Sequence, residues 1–229
     1  MAGRIAYYGG IVTNGLVLAL DAAKKDSYPG SGTVWRDISG NGNNGTLTNG
    51  PTFNSDGGGS IALDGTNDYI NFPSVTTSSL GLNTSNGATL CCWINLKLLS
   101  RWTGVFTFWV NNNVCDFGWD IYPGNIVRTW KNNNYVGSGP SLTSYSDTWT
   151  YFVLVSNSTN LLFYANGNLI ESRSVSGNLN TTSNSKLTLG DHWDDPAQMK
   201  ASLVQIYNRA LPSTEVLQNY NATKGRYGL

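Results

Sequence analysis

Short apolar runs separated by turn residues recur along the whole chain, and this pattern constrains the fold more than any other feature. About twelve such runs are rich in Val, Ile, Leu, Thr and aromatic residues, which suit pleated strands. The 26 Gly and 28 Asn residues concentrate between the runs, where they supply turn conformations. Residues 213–222 alone show helical spacing, and Gly225 is placed as a stop. The pattern predicts an all-β protein with one short C-terminal helix.

Two segments give the clearest local predictions. Residues 88–96 are almost entirely apolar, which is expected of a strand covered on both faces. Asn166 and Gly167 separate two apolar runs, and this pair favours the two positive φ angles of a type I′ turn. We therefore predict a central buried strand and a tight β-hairpin.

The chain has no repeat of fixed period, which argues against a propeller or a solenoid. A length of 229 residues suits a single sandwich domain. We expect a two-sheet antiparallel jelly-roll sandwich over residues 15–229, preceded by an N-terminal arm over residues 1–14. The arm carries Ile5, Tyr7, Tyr8, Ile11 and Val12 without a strand period. We expect the arm and the C-terminal tail to mediate assembly rather than to complete the core.

Charge and segment composition limit the partners. Fourteen basic and fourteen acidic residues cancel, so the chain lacks the electrostatic footprint of a nucleic-acid-binding protein. No apolar run approaches the ~20 residues that span a bilayer, and residues 1–10 lack the apolar region of a signal peptide. We expect cytoplasmic synthesis, no membrane contact and no nucleic-acid partner.

Cys91, Cys92 and Cys115 have no metal-type spacing, and Cys92 is expected to be a small buried hydrophobic residue.

Several motifs follow one another in order along the chain. They are GLVLALDA at 15–22, SYPGSG at 27–32, WRDISGNG at 35–42, NGTL at 44–47, IALDGTNDYI at 61–70, the hairpin at 162–169 and VQIYNRAL at 204–211. Together they resemble the laminin-G-like branch of the concanavalin A-like lectin superfamily. The closing NYNATKGRYGL at 219–229 resembles the ends of laminin-G-like proteins encoded by tailed bacteriophages.

This resemblance implies a non-catalytic virion protein on the particle surface: a head decoration, a head fibre or a tail-associated module. It would be made in the host cytoplasm and would contact other virion proteins through its arm and tail. Cell-surface glycans and further copies of the chain are left open as additional partners. A soluble carbohydrate-binding lectin domain is the alternative, and a glycoside hydrolase is a remote one.

The sequence shows few of the residue arrangements that catalysis requires. Glycoside hydrolases need two carboxylates at a defined separation, and the Glu-x-Asp-x-Glu strand of related hydrolases is missing. Asp116 and Asp120 share the parity of one strand face, but we interpret them as solvated strand residues. His192 is the single histidine, so a Ser-His-Asp arrangement could form only around it. We predict no catalytic residues.

Metal and cofactor sites are also not predicted. The acidic loop at residues 191–196 could hold a cation in principle, but it lacks the spacing of a calcium motif. The DGTND segment at 64–68 is interpreted as a tight turn. A domain of this size buries enough surface to fold without a metal, so we expect no cofactor.

Sugar-binding sites combine an aromatic platform with amide or carboxylate groups. Two segments have this composition, and they supply the candidate ligand-binding residues: Trp130, Asn132, Tyr135, Trp193 and Asp194. Any exposed turn in a chain this rich in Asn and Trp would have a similar composition, so an ordinary loop is the competing interpretation.

Overall fold

The computed structural model describes residues 10–82, 85–111, 114–179, 185–191 and 195–229. Within these ranges, sixteen strands and one α-helix follow in chain order. They are β1 Leu16–Asp21, β2 Val34–Trp35, β3 Gly45–Thr48, β4 Thr52–Asn54, β5 Ser60–Asp64, β6 Tyr69–Phe72, β7 Ala88–Lys97, β8 Thr103–Asn111, β9 Val114–Tyr122, β10 Ile126–Lys131, β11 Asn134–Ser141, β12 Trp149–Ser156, β13 Asn160–Ala165, β14 Asn168–Ser174, β15 Lys186–Leu189, β16 Gln198–Tyr207 and α1 Ser213–Thr223.

The strands form two eight-stranded antiparallel sheets. Sheet A has the order β14-β13-β12-β7-β16-β5-β4, and β1 pairs with β16 next to β5. Sheet B has the order β11-β10-β9-β8-β15-β6-β3-β2. The predicted all-β, two-sheet jelly-roll sandwich with a short C-terminal helix is confirmed.

The main core lies between the sheets and follows from strand alternation. Leu90, Cys92 and Ile94 of β7 point inward from sheet A, and Phe117 and Trp119 of β9 point inward from sheet B. All five side chains are fully buried. Because successive side chains alternate, the intervening residues of each strand face outward.

A second apolar layer covers the outer face of sheet A. Cys91 and Trp93 of β7 pack there with Tyr151 and Val153 of β12, beneath Val216 of α1. This layer explains why β7 is apolar on both faces, as the sequence predicted. The three cysteines are free and buried, and burial raises the pKa of the Cys91 thiol to about 12.

The described part of the N-terminal arm and the C-terminal tail both belong to this second layer. Val12 is buried, its N–H donates to Asn219 Oδ1 at 2.7 Å, and its carbonyl accepts from Tyr207 Oη at 2.9 Å. Arg226 Nη1 in the tail donates to Asp21 Oδ2 at 3.0 Å. The expectation that these segments stand outside the core is therefore wrong for them, whereas residues 1–9 lie outside the described chain.

Two turns show how glycine is used. Asn166 has φ 51° and Gly167 has φ 79°, which confirms the predicted tight hairpin between β13 and β14. The predicted stop at Gly225 is wrong, because Gly225 lies in a 3-10 turn, Lys224–Tyr227, that continues from α1. Gly228, with φ 76°, is the left-handed residue that ends this segment.

Within the described residues, no helix has the length and apolar character that crossing a membrane requires.

Candidate functional site

Exposed aromatic rings gather at one end of the outer face of sheet B. Trp102, just before β8, is 38% exposed, Tyr122 at the end of β9 is 43% exposed, and Tyr135 of β11 is 45% exposed. They surround one arginine of β10, Arg128. We call this group the Arg128 cluster; its members are Trp102, Asp120, Tyr122, Arg128, Trp130 and Tyr135.

Strand register places these side chains together. In the β9–β10 hairpin, Arg128 lies opposite Asp120, and across β10–β11, Trp130 lies opposite Tyr135. Alternation sends Trp119 of β9 into the core, so its neighbour Asp120 must face outward. The same alternation turns the Arg128 and Trp130 side chains to the outer face.

A buried ion pair holds the centre of the cluster. Arg128 Nε donates to Asp120 Oδ1 at 2.7 Å, and Nη2 donates to Oδ2 at 2.5 Å. Trp130 Nε1 donates to the same Oδ2 at 2.9 Å. The side chains of Arg128 and Asp120 are only 11% and 2% exposed. This bidentate pair fixes the guanidinium plane, because both oxygens are engaged.

The fixed guanidinium in turn orders the rings. It lies 4.0 Å from the ring centroid of Trp102, 4.8 Å from that of Trp130 and 5.7 Å from that of Tyr135. Such cation–π contacts stabilise ring orientation. Tyr122 meets Trp102 edge to face at a centroid distance of 4.7 Å. The exposed rings are thus held in place before any ligand arrives.

The residue opposite Trp130 on the outer face of sheet B is a glycine, so no side chain projects from this position. Gly118 of β9 lies opposite Trp130 and has φ 150°, and a Cβ there would be 2.4 Å from the carbonyl oxygen of Phe106. A side chain at this position would displace the β8 backbone. The outer face therefore continues from Trp130 toward β8 without an obstructing side chain.

Hydroxyl groups continue this face toward β15. Trp109 Nε1 of β8 donates to Thr188 Oγ1 of β15 at 3.1 Å. The Thr188 hydroxyl donates to the carbonyl of Asp191 at 2.9 Å. Aromatic and polar side chains therefore lie next to each other on this face, where the Thr188 hydroxyl is buried and engaged in both hydrogen bonds.

Two carboxylates of β9 also point to this face, and both are buried, so the expectation of solvated acids is wrong. Asp116 Oδ2 accepts from Thr77 Oγ1 at 3.0 Å, while Asp120 is held by Arg128 and Trp130.

The structure brings two of the predicted ligand-binding residues together. Trp130 and Tyr135 are neighbours, with ring centroids 6.1 Å apart. Trp130 is buried, however, and forms the floor rather than an exposed platform. Asn132 lies in the β10–β11 turn, and its Nδ2 donates to the carbonyl of Asn178 at 2.8 Å. Trp193 and Asp194 lie outside the described residues, as does His192.

The prediction missed Trp102, Asp120, Tyr122 and Arg128. The sequence does contain a signal for two of them. A Pro-Gly turn at 123–124 between two alternating strands predicts that Asp120 and Arg128 face the same side. The contribution of Trp102, which lies outside this hairpin, had no comparable local signal.

The predicted turn at residues 64–68 is present. Asp64 Oδ1 accepts the N–H of Thr66 at 2.7 Å, and such backbone hydrogen bonds lower the pKa of Asp64. Burial raises the pKa of Asp68. Across the described ranges, no group of three or more His, Cys, Asp or Glu side chains is arranged to hold a metal ion.

The fold is shared with several solved structures. One similar structure is a Trypanosoma rangeli sialidase in complex with sialic acid (15% identity, TM-score 0.68), which aligns over 93% of this chain and 33% of its own. Another is domain 4 of AbnA, a GH43 extracellular arabinanase from Geobacillus stearothermophilus, in complex with arabinotriose (20% identity, TM-score 0.67, 90% and 98% covered). A third is the binding domain of Paraclostridial Mosquitocidal Protein 1 (20% identity, TM-score 0.65, 92% and 52% covered).

At these identities the structural likeness shows the fold alone, and the chain spans only about one third of the sialidase, 33%. No curated protein sequence matches the chain. The family of concanavalin A-like lectins and glucanases matches residues 64–217, which is well over half of the sequence. The chain therefore belongs to the concanavalin A-like lectin/glucanases superfamily.

Proposed function

We propose that this chain is a non-catalytic carbohydrate-binding module and that the Arg128 cluster is its ligand-binding surface. The observation that carries this proposal is the set of three exposed rings held by one buried Arg128–Asp120 pair. Sugar rings stack their C–H faces on aromatic side chains, and their hydroxyls hydrogen-bond to nearby polar groups. Preorganised rings reduce the ordering cost of binding.

The polar groups for such a ligand are also present. Arg128 uses Nε and Nη2 for Asp120, and within the described residues Nη1 makes no hydrogen bond. The exposed side chains of Tyr122 and Tyr135 carry hydroxyl groups, and the hydroxyl of Tyr135 is hydrogen-bonded to that of Ser138. A saccharide lying across the rings would find a donor at Arg128 and hydroxyl groups at both sides.

The absence of catalysis is part of the same proposal. Asp116 is buried, and the charge of Asp120 is compensated by Arg128. A general acid must also be able to give up a proton at the ligand, whereas Asp120 accepts from Arg128 and Trp130. The arrangement favours binding without bond cleavage.

The similar structures support a binding role. One is described in complex with arabinotriose and another as a binding domain. Their identities are too low to transfer a ligand, so the saccharide must be found by screening.

A glycan array tests the proposal, with the wild-type chain, Tyr135→Ala and Phe53→Ala compared on the same slides. Phe53 is an exposed aromatic residue of β4, outside the cluster, and serves as the matched control. We expect wild-type and Phe53→Ala to bind the same glycans and Tyr135→Ala to lose most of the signal. Binding that survives Tyr135→Ala and Tyr122→Ala unchanged would contradict the assignment.

We further propose that the module is displayed on a bacteriophage particle as a head decoration, a head fibre or a tail-associated protein. The resemblance of residues 219–229 to phage laminin-G-like proteins supports this placement, and a zero net charge suits a packed assembly. The arm lies beside the C-terminal helix that leads into the tail, because Gln218 Nε2 of α1 donates to the carbonyl of Gly10 at 2.9 Å. The arm and the tail could present one surface to other virion proteins or to further copies. Mass spectrometry of purified particles should detect the chain, and its absence from virions would reject this placement.

A further inference from the structure

A second recess lies on the opposite side of the sandwich, on the outer face of sheet A. Its volume is about 390 Å³, within the range of small-molecule sites. We call it the sheet A hollow. The residues that line it include Ala62 of β5, Asn95 and Lys97 of β7, Gln198 and Lys200 of β16, and Asp147 of the loop before β12.

The strand register builds the floor of this hollow. Lys200 lies between Ala62 on one side and Asn95 on the other, and Gln198 lies next to Lys97. All five residues face outward, because their neighbours Leu63, Ile94, Leu96 and Met199 point into the main core. The short side chain of Ala62 leaves space beside the longer side chains of Lys200 and Asn95, which lie in the same row across the sheet.

Two contacts form the walls. Lys200 is paired with Asp56 in a 3-10 turn, Asp56–Gly58, that rises beside the sheet. On the other side, Asn95 Nδ2 donates to the carbonyl of Asp147 at 3.1 Å. Trp149 of β12 lies opposite Asn95 in the same row, and Tyr227 of the C-terminal tail contacts it at a centroid distance of 5.0 Å. The Asp56 turn and the Asp147 loop therefore border the hollow.

The hollow contains polar groups that the fold itself does not use. Within the described residues, Lys97 forms no ion pair, and the Gln198 side chain makes no hydrogen bond. The charge of Lys200 is compensated by Asp56. The carboxylate of Asp147 accepts from Ser146 Oγ at 3.0 Å and lies beyond ion-pair distance of Lys97. One ammonium group and one primary amide thus remain available to a ligand.

We propose that the sheet A hollow binds an anionic sugar residue. The carboxylate or sulfate of the sugar would pair with Lys97, and its hydroxyls would bond to the amides of Gln198 and Asn95. A charged acceptor is favoured over a neutral hydroxyl, because an anion adds the attraction of opposite charges to its hydrogen bond with the Lys97 ammonium. This proposal does not rest on the Arg128 cluster, since the two surfaces lie on different sheets.

The test is a titration of the ¹⁵N-labelled chain with three probes: glucuronic acid, glucose 6-sulfate and glucose. We expect the side-chain amide signals of Gln198 and Asn95 to shift with at least one acidic sugar and not with glucose. Comparing the two acidic sugars identifies which anion is preferred. Inorganic sulfate alone should give smaller shifts, because it lacks the hydroxyl groups.

Charge variants make the test specific. Lys97→Met should weaken binding of the acidic sugar by about tenfold, the value expected from losing one charge-assisted hydrogen bond. Lys97→Arg should retain it, and Lys186→Met, which removes an exposed lysine of sheet B, should leave it unchanged. Equal shifts with glucose, no shifts with any sugar, or unchanged affinity in Lys97→Met would each overturn the proposal. Tyr135→Ala should have no effect here, which separates this outcome from a failure of the Arg128 cluster.

Discussion

The ring of Tyr227 is stacked on the ring of Trp93, with centroids 3.9 Å apart and planes inclined by 18°. Trp93 Nε1 also donates to Thr223 Oγ1 at 2.7 Å. The last residues of the chain therefore complete the outer layer of sheet A. The C-terminal segment is part of the folded domain, even though it follows the last strand.

Removing the Tyr227 ring should destabilise the domain. We expect Tyr227→Ala to lower the free energy of unfolding by about 2–3 kcal/mol, because a large ring is lost from a packed aromatic group. In a chain of this length, that loss corresponds to a fall in Tm of roughly 5–10 °C. Leu229→Ala, at an exposed terminal residue, is the control. Equal Tm values for the two variants would show that the tail contributes little.

Alkaline pH should weaken the same layer. Burial raises the pKa of Tyr227 to about 12 and also raises the pKa values of Tyr151 and Tyr207 above the ordinary value of 10.0. Above pH ~10 the unfolded chain loses these protons while the folded chain keeps them, so the free energy of unfolding must fall as pH rises toward ~12.

Urea unfolding at a series of pH values measures this slope. Tyr227→Phe should show a shallower decline than the wild type, because one of the shifted hydroxyls has been removed. A free energy of unfolding that stays constant from pH ~9 to ~11 would contradict the burial of these groups.

Breaking the Arg128–Asp120 pair should also be costly. Asp120→Asn keeps the size of the side chain but leaves Arg128 largely buried without a counter-ion. Loss of one partner of a buried pair costs about 3–5 kcal/mol, and we expect the lower end here because Arg128 keeps its ring contacts. The double variant Asp120→Asn with Arg128→Met should recover part of this loss. Urea unfolding that finds Asp120→Asn as stable as the wild type would show that the pair does not hold the cluster.

Metal removal should leave stability unchanged. The main core is built from apolar side chains of both sheets, so folding should not depend on a bound ion. Thermal melts with and without EDTA should coincide. A fall in Tm of more than ~10 °C in EDTA would reveal a structural metal.

Local features of the fold were predictable from the sequence, and long-range ones were not. Asn166 and Gly167 specify their hairpin through their own φ preferences. The apolar run of β7 indicated two covered faces but not what covers the second one. The contact between Trp93 and Tyr227 joins residues far apart in the chain, so no local pattern encodes it. For this reason the sequence alone predicts an assembly role for the tail.

The candidate site shows the same division. Composition pointed to Trp130 and Tyr135, which do lie together. The two residues differ in burial: Trp130 is buried and forms the floor of the Arg128 cluster, whereas Tyr135 is exposed at its edge. Acidic strand residues are usually solvated, so the sequence predicts a solvated Asp120. Its burial depends on Arg128 and Trp130 of the next strand, whose register is fixed only when the hairpin forms.

The most direct test of the central claim is to locate the bound saccharide by following the indole N–H signals of the tryptophans. The ¹⁵N-labelled chain would be titrated with the best glycan from the array. Contact with the Arg128 cluster should shift the indole signals of Trp102 and Trp130, while those of Trp35 and Trp93, buried elsewhere, should stay in place. A saturating titration in which the Trp102 and Trp130 signals do not move would place the ligand elsewhere and contradict the account.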